Sequence, residues 1–347
     1  MHNKAPQIQS TAIMASDIRQ GFAGSIGNTP LIKIESLSQA TGCTILGKAE
    51  FLSPGGSVKD RAALFMVRQA EQEGLISPGG VIVEGTAGNT GIGLSLVANA
   101  RGYRSFIVMP NNQSQEKIDL LRTLGAEVEL VPPVPFSNPG NFYHVARDRA
   151  QNLENAFWAN QFENLANSEA HYQTTAPEIW QQTGGELDGI VMSSGTGGTI
   201  GGVTAYLKEQ NPNIAAYLID PPGSGLFNFI TQGIFKVEGS SITEGIGINR
   251  ETANFARAKL DGAFEGSDLE MIEMAYYLLR HDGLFMGSSA ALNVVGAVRL
   301  ARQLGPGHVI ATILCDGGGR YQSRMFNAEW LAEKNLTPTA KGLEFLD

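Results

Sequence analysis

The sequence predicts an α/β protein of two lobes, each a three-layer α/β/α sandwich on a largely parallel sheet, meeting at a cleft. Three observations carry this expectation. Short apolar runs alternate with segments of helical spacing along most of the chain, the rhythm of parallel strands covered by helices on both faces. The rhythm starts, breaks off and starts again, and 347 residues suffice for two such blocks. The chain also carries 42 glycines, above the usual share of about 7%, and many cluster in turns between a strand and a helix, where backbone approaches ligand.

Taken in order, a loose N-terminal arm precedes a turn-bounded strand, Ile26 to Ile32, and a second strand, Thr44 to Glu50. Ser53-Pro54-Gly55-Gly56-Ser57-Val58-Lys59-Asp60-Arg61 is then a turn-forming run that delivers one lysine to a helix start, with Ser57 as the expected cap. That helix runs to about Glu73. Strand 81–84, helix 92–100, strand 106–109, helix 115–124 and strand 128–131 follow. A proline-rich loop, helix 142–153 and a short strand at 157–159 close the first block. The second block comprises helix 169–182, strand 189–193, helix 200–208, strand 216–220, an irregular stretch from Pro221 to Asn254, helix 268–281, helix 290–304 and strand 309–314.

Composition narrows the function. A net charge of -9 and a pI near 5.2, with no basic run or stripe, argue against nucleic acid or an anionic membrane surface as partner. No run of about eighteen apolar residues occurs. Met1 to Arg19 lacks the basic start and apolar core of a leader. Cys43 and Cys315, the only two cysteines, are far apart and outside any C-x-x-C spacing, so a reducing cytoplasm is expected and no metal.

The glycine-rich turns carry the chemistry. Ser193-Ser194-Gly195-Thr196-Gly197-Gly198-Thr199 joins an apolar strand to a helix, where free N–H groups and the helix dipole favour a phosphate. A rival reading is a dinucleotide fingerprint, Gly195, Gly197 and Gly201 before a strand ending in Asp220. Its spacing is one residue longer than G-x-G-x-x-G, and a compact monophosphate cup fits better. Glu84-Gly85-Thr86-Ala87-Gly88-Asn89-Thr90-Gly91 offers hydroxyl, amide and backbone donors for a carboxylate, or else a helix entry capped by Thr86 or Asn89. Gly287-Ser288-Ser289-Ala290 and Asn160-Gln161-Phe162-Glu163-Asn164 are two further clusters, readable as a helix cap and a polar loop. A lone lysine is ordinarily solvated; partners of this kind make Lys59 a Schiff-base candidate.

With these motifs in this order, the sequence closely resembles the fold-type II pyridoxal-phosphate enzymes, the tryptophan synthase β-like fold, and among them the cysteine synthase (O-acetylserine sulfhydrylase) and cystathionine β-synthase branch. The resemblance runs from Gly27-Asn28-Thr29-Pro30-Leu31 to Asp316-Gly317-Gly318-Gly319-Arg320. It implies pyridoxal 5'-phosphate in the cleft, Lys59 as the Schiff-base lysine, Gly195, Thr196, Gly197, Gly198 and Thr199 as the phosphate cup, and Asn89 at the cofactor's phenolic oxygen. It further implies Ser289 at the pyridine nitrogen, with Ser288 as a substitute, and substrate binding by Thr86, Ala87, Gly88, Asn89, Thr90, Gln161 and Gly245. It also implies a larger lobe of residues 1–54 and 166–347, a smaller mobile lobe of residues 55–165, a homodimer, and a complex with serine acetyltransferase. With a short polar tail after Arg320, the regulatory module that many cystathionine synthases carry is not expected.

The implied reaction is β-replacement. O-acetyl-L-serine bound through the Lys59 aldimine loses acetate to give an aminoacrylate, and sulfide adds to yield L-cysteine. A serine at the pyridine nitrogen favours an unprotonated ring, a weaker electron sink that suits prompt elimination over transamination. The sequence departs from the family at Ala87, where a serine hydroxyl is usual, and in Ile248-Asn249-Arg250-Glu251-Thr252, which replaces a more apolar run. These departures touch substrate choice, so cysteine desulfhydration and a serine-using β-synthase stand as alternatives. A nicotinamide-dependent dehydrogenase stands as the rival from another class.

Overall fold

The computed structural model describes residues 18–346. The expected loose arm lies outside these up to residue 17, and from there Gly21–Ser25 forms a short helix. Among the described residues ten strands are arranged in two sheets: β1 Leu31–Lys33, β2 Thr44–Lys48, β3 Val81–Gly85, β4 Arg104–Pro110, β5 Glu127–Val131, β6 Ala156–Trp158, β7 Gly189–Met192, β8 Ala215–Asp220, β9 Gly262–Glu265 and β10 Val309–Ile313. The six-stranded sheet has the order β1-β2-β10-β7-β8-β9 and the four-stranded sheet β5-β4-β3-β6. Every pairing is parallel except β1 with β2.

Period-two burial explains the layering. In the four-stranded sheet Ile82 packs against Leu64, Val67, Leu94 and Val97, while Val81 and Val83 face the opposite side with Phe106, Val108 and Ala146. In the six-stranded sheet Val191, Ile219 and Ile310 meet the helices Asp268–Asp282 and Ser288–Leu304. Ile190, Met192 and Ile313 meet Ile179, Ile200 and Val203 on the other face. Both sheets are thus sealed on both sides, which is why their strands read as apolar runs. The helix Asp268–Asp282 begins with a reciprocal capping box between Ser267 and Glu270.

Several boundaries depart from the sequence reading. The first strand covers only Leu31–Lys33, because Gly27 and Asn28 both take positive φ and form a turn. Ser57 does not cap the helix Lys59–Gln72; Val58 is the N-cap, without a side-chain cap bond. Ser57 instead bridges to Asp316 in an antiparallel contact, and its Oγ accepts the Lys59 N–H at 3.3 Å. The helix expected over 169–182 starts at Ala166 and includes a π-helical turn at His171–Thr175. The stretch from Pro221 to Asn254 carries a helix, Leu226–Gln232, closed by Gly233 in the left-handed region. Helices Glu35–Thr41 and Ala328–Glu333 and the edge strand β9 gave too short a periodic signal to read.

Candidate active site

A cavity of about 380 Å³ opens at the carboxyl ends of β3, β7 and β10, between the two sheets. All the residues expected to form the site line it: Lys59, the loops 86–90 and 195–199, Gln161, Gly245 and Ser289. Ser288, the alternative to Ser289, does not line it. That is the position at which parallel α/β sheets present ligands.

Lys59 is the first residue of its helix, and its neighbours fix it from both sides. Asp60 Oδ2 accepts the Gly55 N–H at 2.6 Å, closing the glycine turn, and burial holds this carboxyl up at about 6. Arg61 Nη2 lies 2.8 Å from Glu50 Oε1, and Nη1 lies 2.7 Å from Glu178 Oε1. Lys48 Nζ completes the buried cluster 2.6 Å from Glu178 Oε2. Burial alone would raise the Glu178 pKa, but Arg61 and Lys48 hold it at about 2. The Lys59 Nζ donates no hydrogen bond among the described residues. An amine on an anchored helix start, facing a cavity and not consumed by a partner, is available for chemistry.

The loop after β3 is held from below. Glu84, at the strand end, is 1% exposed, and its Oε2 accepts the Gln161 N–H at 3.2 Å. Burial pushes the Glu84 carboxyl up to about 8, against the hydrogen bonds it accepts. Gln161 Nε2 donates to Gly85 O at 2.9 Å and its Oε1 accepts from Thr90 Oγ1 at 2.6 Å, which ties the loops 86–90 and 160–164 together. Thr86 Oγ1 accepts the Gly88 N–H at 3.0 Å, and Gly88, not Thr86 or Asn89, is the N-cap of the helix Asn89–Arg101. Asn89 Nδ2 donates to Asp316 Oδ2 at 2.7 Å while its Oδ1 accepts from Arg320 Nη1 at 2.6 Å. Nδ2 carries two hydrogens, so one is left for a cavity ligand. Ala87 is half-buried on the cavity wall.

The loop after β7 opens the helix Gly198–Gln210, whose first N–H groups lack intrahelical acceptors. Gly197 has φ +85°, and a Cβ there would stand 2.4 Å from the Phe255 nitrogen, so only glycine fits. The Oγ atoms of Ser193 and Ser194 are buried without protein partners, and both residues line the cavity. Thr196 Oγ1 accepts from Asn167 Nδ2 at 2.9 Å. Thr199 Oγ1 lies 3.2 Å from His171 Nε2, and His171 Nδ1 lies 2.8 Å from Thr175 Oγ1. Burial drives the His171 pKa well below 6.5, so the ring is neutral and orients the Thr199 hydroxyl without adding charge. Asp220, which the dinucleotide reading needs, does not line the cavity and accepts the Phe227 N–H at 2.8 Å.

The cavity also holds residues the sequence reading did not assign. Asn293 accepts the Ser193 N–H at 2.6 Å and donates to Ile313 O at 2.8 Å. Cys315 lies beside it, its thiol pushed up to about 11 by burial. Lys117, Glu244, Phe136, Tyr143 and Arg250 complete the wall. Arg250, Glu244, Phe136 and Cys315 stood at places the sequence drew attention to for other reasons; Lys117 and His171 are interior positions of ordinary helical pattern. Among the described residues no group of three or more potential ligands could hold a metal ion. Nor is any helix among them long and apolar enough to cross a membrane.

Comparison with known proteins places this geometry. The family model described as pyridoxal-phosphate dependent enzyme matches residues 22–316. A protein named cysteine synthase from Dictyostelium discoideum is 51% identical, over 94% of this chain and 89% of its own length. A protein named cysteine synthase 1 from Emericella nidulans is 55% identical, over 91% of this chain and 87% of its own. Among solved structures, an O-acetylserine-dependent cystathionine β-synthase from Helicobacter pylori superposes with a TM-score of 0.81 at 34% identity, covering 88% of this chain and 98% of that one.

Proposed function

The chain belongs to the pyridoxal-phosphate-dependent enzymes, and on that footing we propose that it is a cysteine synthase. It exchanges the acetoxy group of O-acetyl-L-serine for sulfide, releasing L-cysteine and acetate. The observation that carries the reading is the convergence on one cavity of an unconsumed lysine amine, an anion-binding helix start and a donor-rich loop. The high identity to proteins named cysteine synthase points the same way.

The residues present fit pyridoxal phosphate. The N–H groups at Gly195 to Thr199 and the unpartnered Ser193 and Ser194 hydroxyls suit its phosphate, and Ser289 at a helix start suits its ring nitrogen. Lys59 Nζ would hold its carbonyl carbon until the substrate's amino group takes that place and frees the lysine amine. When bound, the cofactor supplies an electron sink for the bond broken at the substrate α-carbon. The protein does the rest. Thr86, Gly88, Asn89, Thr90 and Gln161 hold the substrate carboxylate, with Ala87 and Gly245 shaping the space beside it. The freed Lys59 amine takes the α-proton as acetate leaves from Cβ, and a proton returns from it to the α-carbon once the Cβ–S bond has formed. The rings of Phe142, Tyr143 and Phe162 on the cavity wall lower the local polarity, which strengthens these polar contacts.

Further features rest on the resemblance and on composition: a cytoplasmic homodimer, engagement of serine acetyltransferase, and a smaller lobe, residues 55–165, that moves against the remainder to close the cleft. Lys59→Ala should lower O-acetylserine turnover about a thousandfold or more, while far-UV circular dichroism stays native. Retention of full activity would end the assignment of Lys59. A substrate panel of O-acetylserine, O-phosphoserine, serine and cysteine, scored by product and rate, should put O-acetylserine with sulfide first. Faster hydrogen sulfide release from cysteine alone would favour desulfhydration, which the same residues serve with Ala87 in place of a hydroxyl.

A further inference from the structure

Arg250 lines the cavity from the six-stranded side, and apart from the carbonyl of its neighbour Glu251, 3.5 Å away, the partners of its guanidinium come from segments next to the four-stranded sheet. Its central carbon lies 4.4 Å from the ring centre of Phe136, 5.4 Å from that of Tyr143 and 5.3 Å from that of Phe162. Its Nη1 pairs with Glu163, whose other oxygen accepts the Ala253 N–H at 2.9 Å. A planar cation flanked by aromatic faces and a carboxylate is held by both electrostatics and packing.

The rings are themselves braced. Asn141 Oδ1 accepts the Tyr143 N–H at 3.0 Å and its Nδ2 donates to Val134 O at 2.7 Å, fixing both flanks of the 135–140 turn. His144 Nε2 lies 2.6 Å from Phe136 O. Tyr143 rests edge-on against Trp158, 5.1 Å away. Phe136 is nonetheless 43% exposed, so its contact with Arg250 lies at the rim and not in the core.

We propose that Arg250, clasped by Phe136, Tyr143 and Phe162, sets the upper size of the nucleophile admitted to the replacement reaction. Sulfide and very small thiols pass, and a thiol carrying its own amino-acid backbone is refused. The cavity of about 380 Å³ is near the lower end of the roughly 300–1,000 Å³ usual for small-molecule sites. When the nucleophile arrives, that space already holds the cofactor and the first amino acid. Because Arg250 has its charge matched by Glu163, its effect on the entrant is steric and not the recruitment of an anion.

This inference rests on the β-replacement reading, and two measurements on the holoenzyme separate them. With saturating O-acetylserine, kcat/KM is compared for sulfide, 2-mercaptoethanol and L-homocysteine in the wild type, Arg250→Ala and Phe136→Ala. The ratio for homocysteine over sulfide should rise at least tenfold in both variants. An unchanged ratio, or a wild type that uses homocysteine as well as sulfide, overturns the proposal. Independently of turnover, the rate at which hydroxylamine and the bulkier O-benzylhydroxylamine strip the cofactor from Lys59 is followed by absorbance. The bulky-to-small rate ratio should rise at least tenfold in Arg250→Ala, and equal ratios in variant and wild type refute the size limit. A wild type that does not turn over O-acetylserine with sulfide defeats the activity reading alone, and the reagent ratio still decides the role of Arg250.

Discussion

Glu84 shows how one buried side chain links the fold to the site. Its carboxyl ends β3, accepts the Gln161 N–H, and titrates near 8 because burial penalises the charged form. A carboxyl whose folded pKa is raised binds its proton more tightly when folded. Its contribution to stability is therefore complete below about 4.5 and is lost as the pH climbs through about 8. Glu84→Gln removes that titration, so its stability relative to wild type should improve with rising pH, by about 1 kcal/mol per unit between pH 5 and 8. Urea unfolding across that range checks it, and parallel curves would show that Glu84 is not the group titrating. The sequence made Lys59 legible because a glycine turn and a helix start flank it. Nothing in the local pattern distinguished Glu84 or His171, whose chemistry comes from what surrounds them in space.

At the scale of elements, the strand–turn–helix units were readable because their turns need unusual backbone. Gly197 is the sharpest instance, with φ +85° and no room for a Cβ beside Phe255. Gly197→Ala should destabilise the protein by about 2 kcal/mol or more through left-handed strain and the clash together. It should also weaken cofactor retention, read as loss of visible absorbance on dialysis. A variant with wild-type melting and retention would place the requirement elsewhere in the loop. The π-helical turn at His171–Thr175 escaped the sequence reading because one extra residue in a helix leaves the apolar period nearly intact. Yet that turn carries the imidazole that meets the Thr199 hydroxyl. The helix Leu226–Gln232 was missed for a different reason, being too short to show a period against its glycine-rich flanks.

Across the whole molecule, the two sheets are joined on one side of the cavity by a polar seam. Lys117 Nζ, almost fully buried, lies 2.7 Å from Glu244 Oε2, and Arg324 Nη1 lies 2.9 Å from Glu244 Oε1. Arg324 Nη2 donates to Asn112 O at 2.7 Å, and Ser323 donates to Glu116 through its N–H at 2.7 Å and its hydroxyl at 2.8 Å. Glu244 thus answers two cations, one from each side of the cleft. Glu244→Ala leaves the buried Lys117 ammonium without its carboxylate, with the face of the Tyr321 ring 4.3 Å away as its remaining electrostatic contact, and should cost about 3 kcal/mol. A denaturant midpoint unchanged from wild type would show that water or a rearranged partner takes the carboxylate's place.

By itself the sequence determined the α/β class, the order of most strands and helices, and the chemistry on offer at Lys59, the glycine loops and Ser289. These are local properties: strand periodicity, turn chemistry and helix starts are written in neighbouring residues. Tertiary structure alone decided which of two serines lines the cavity and that a neutral histidine backs the loop after β7. It alone placed Arg250 among rings more than eighty residues away in sequence. Those outcomes depend on burial and on contacts between the halves, and burial is what converts an ordinary Glu, His or Arg into one with a fixed partner and an altered charge state.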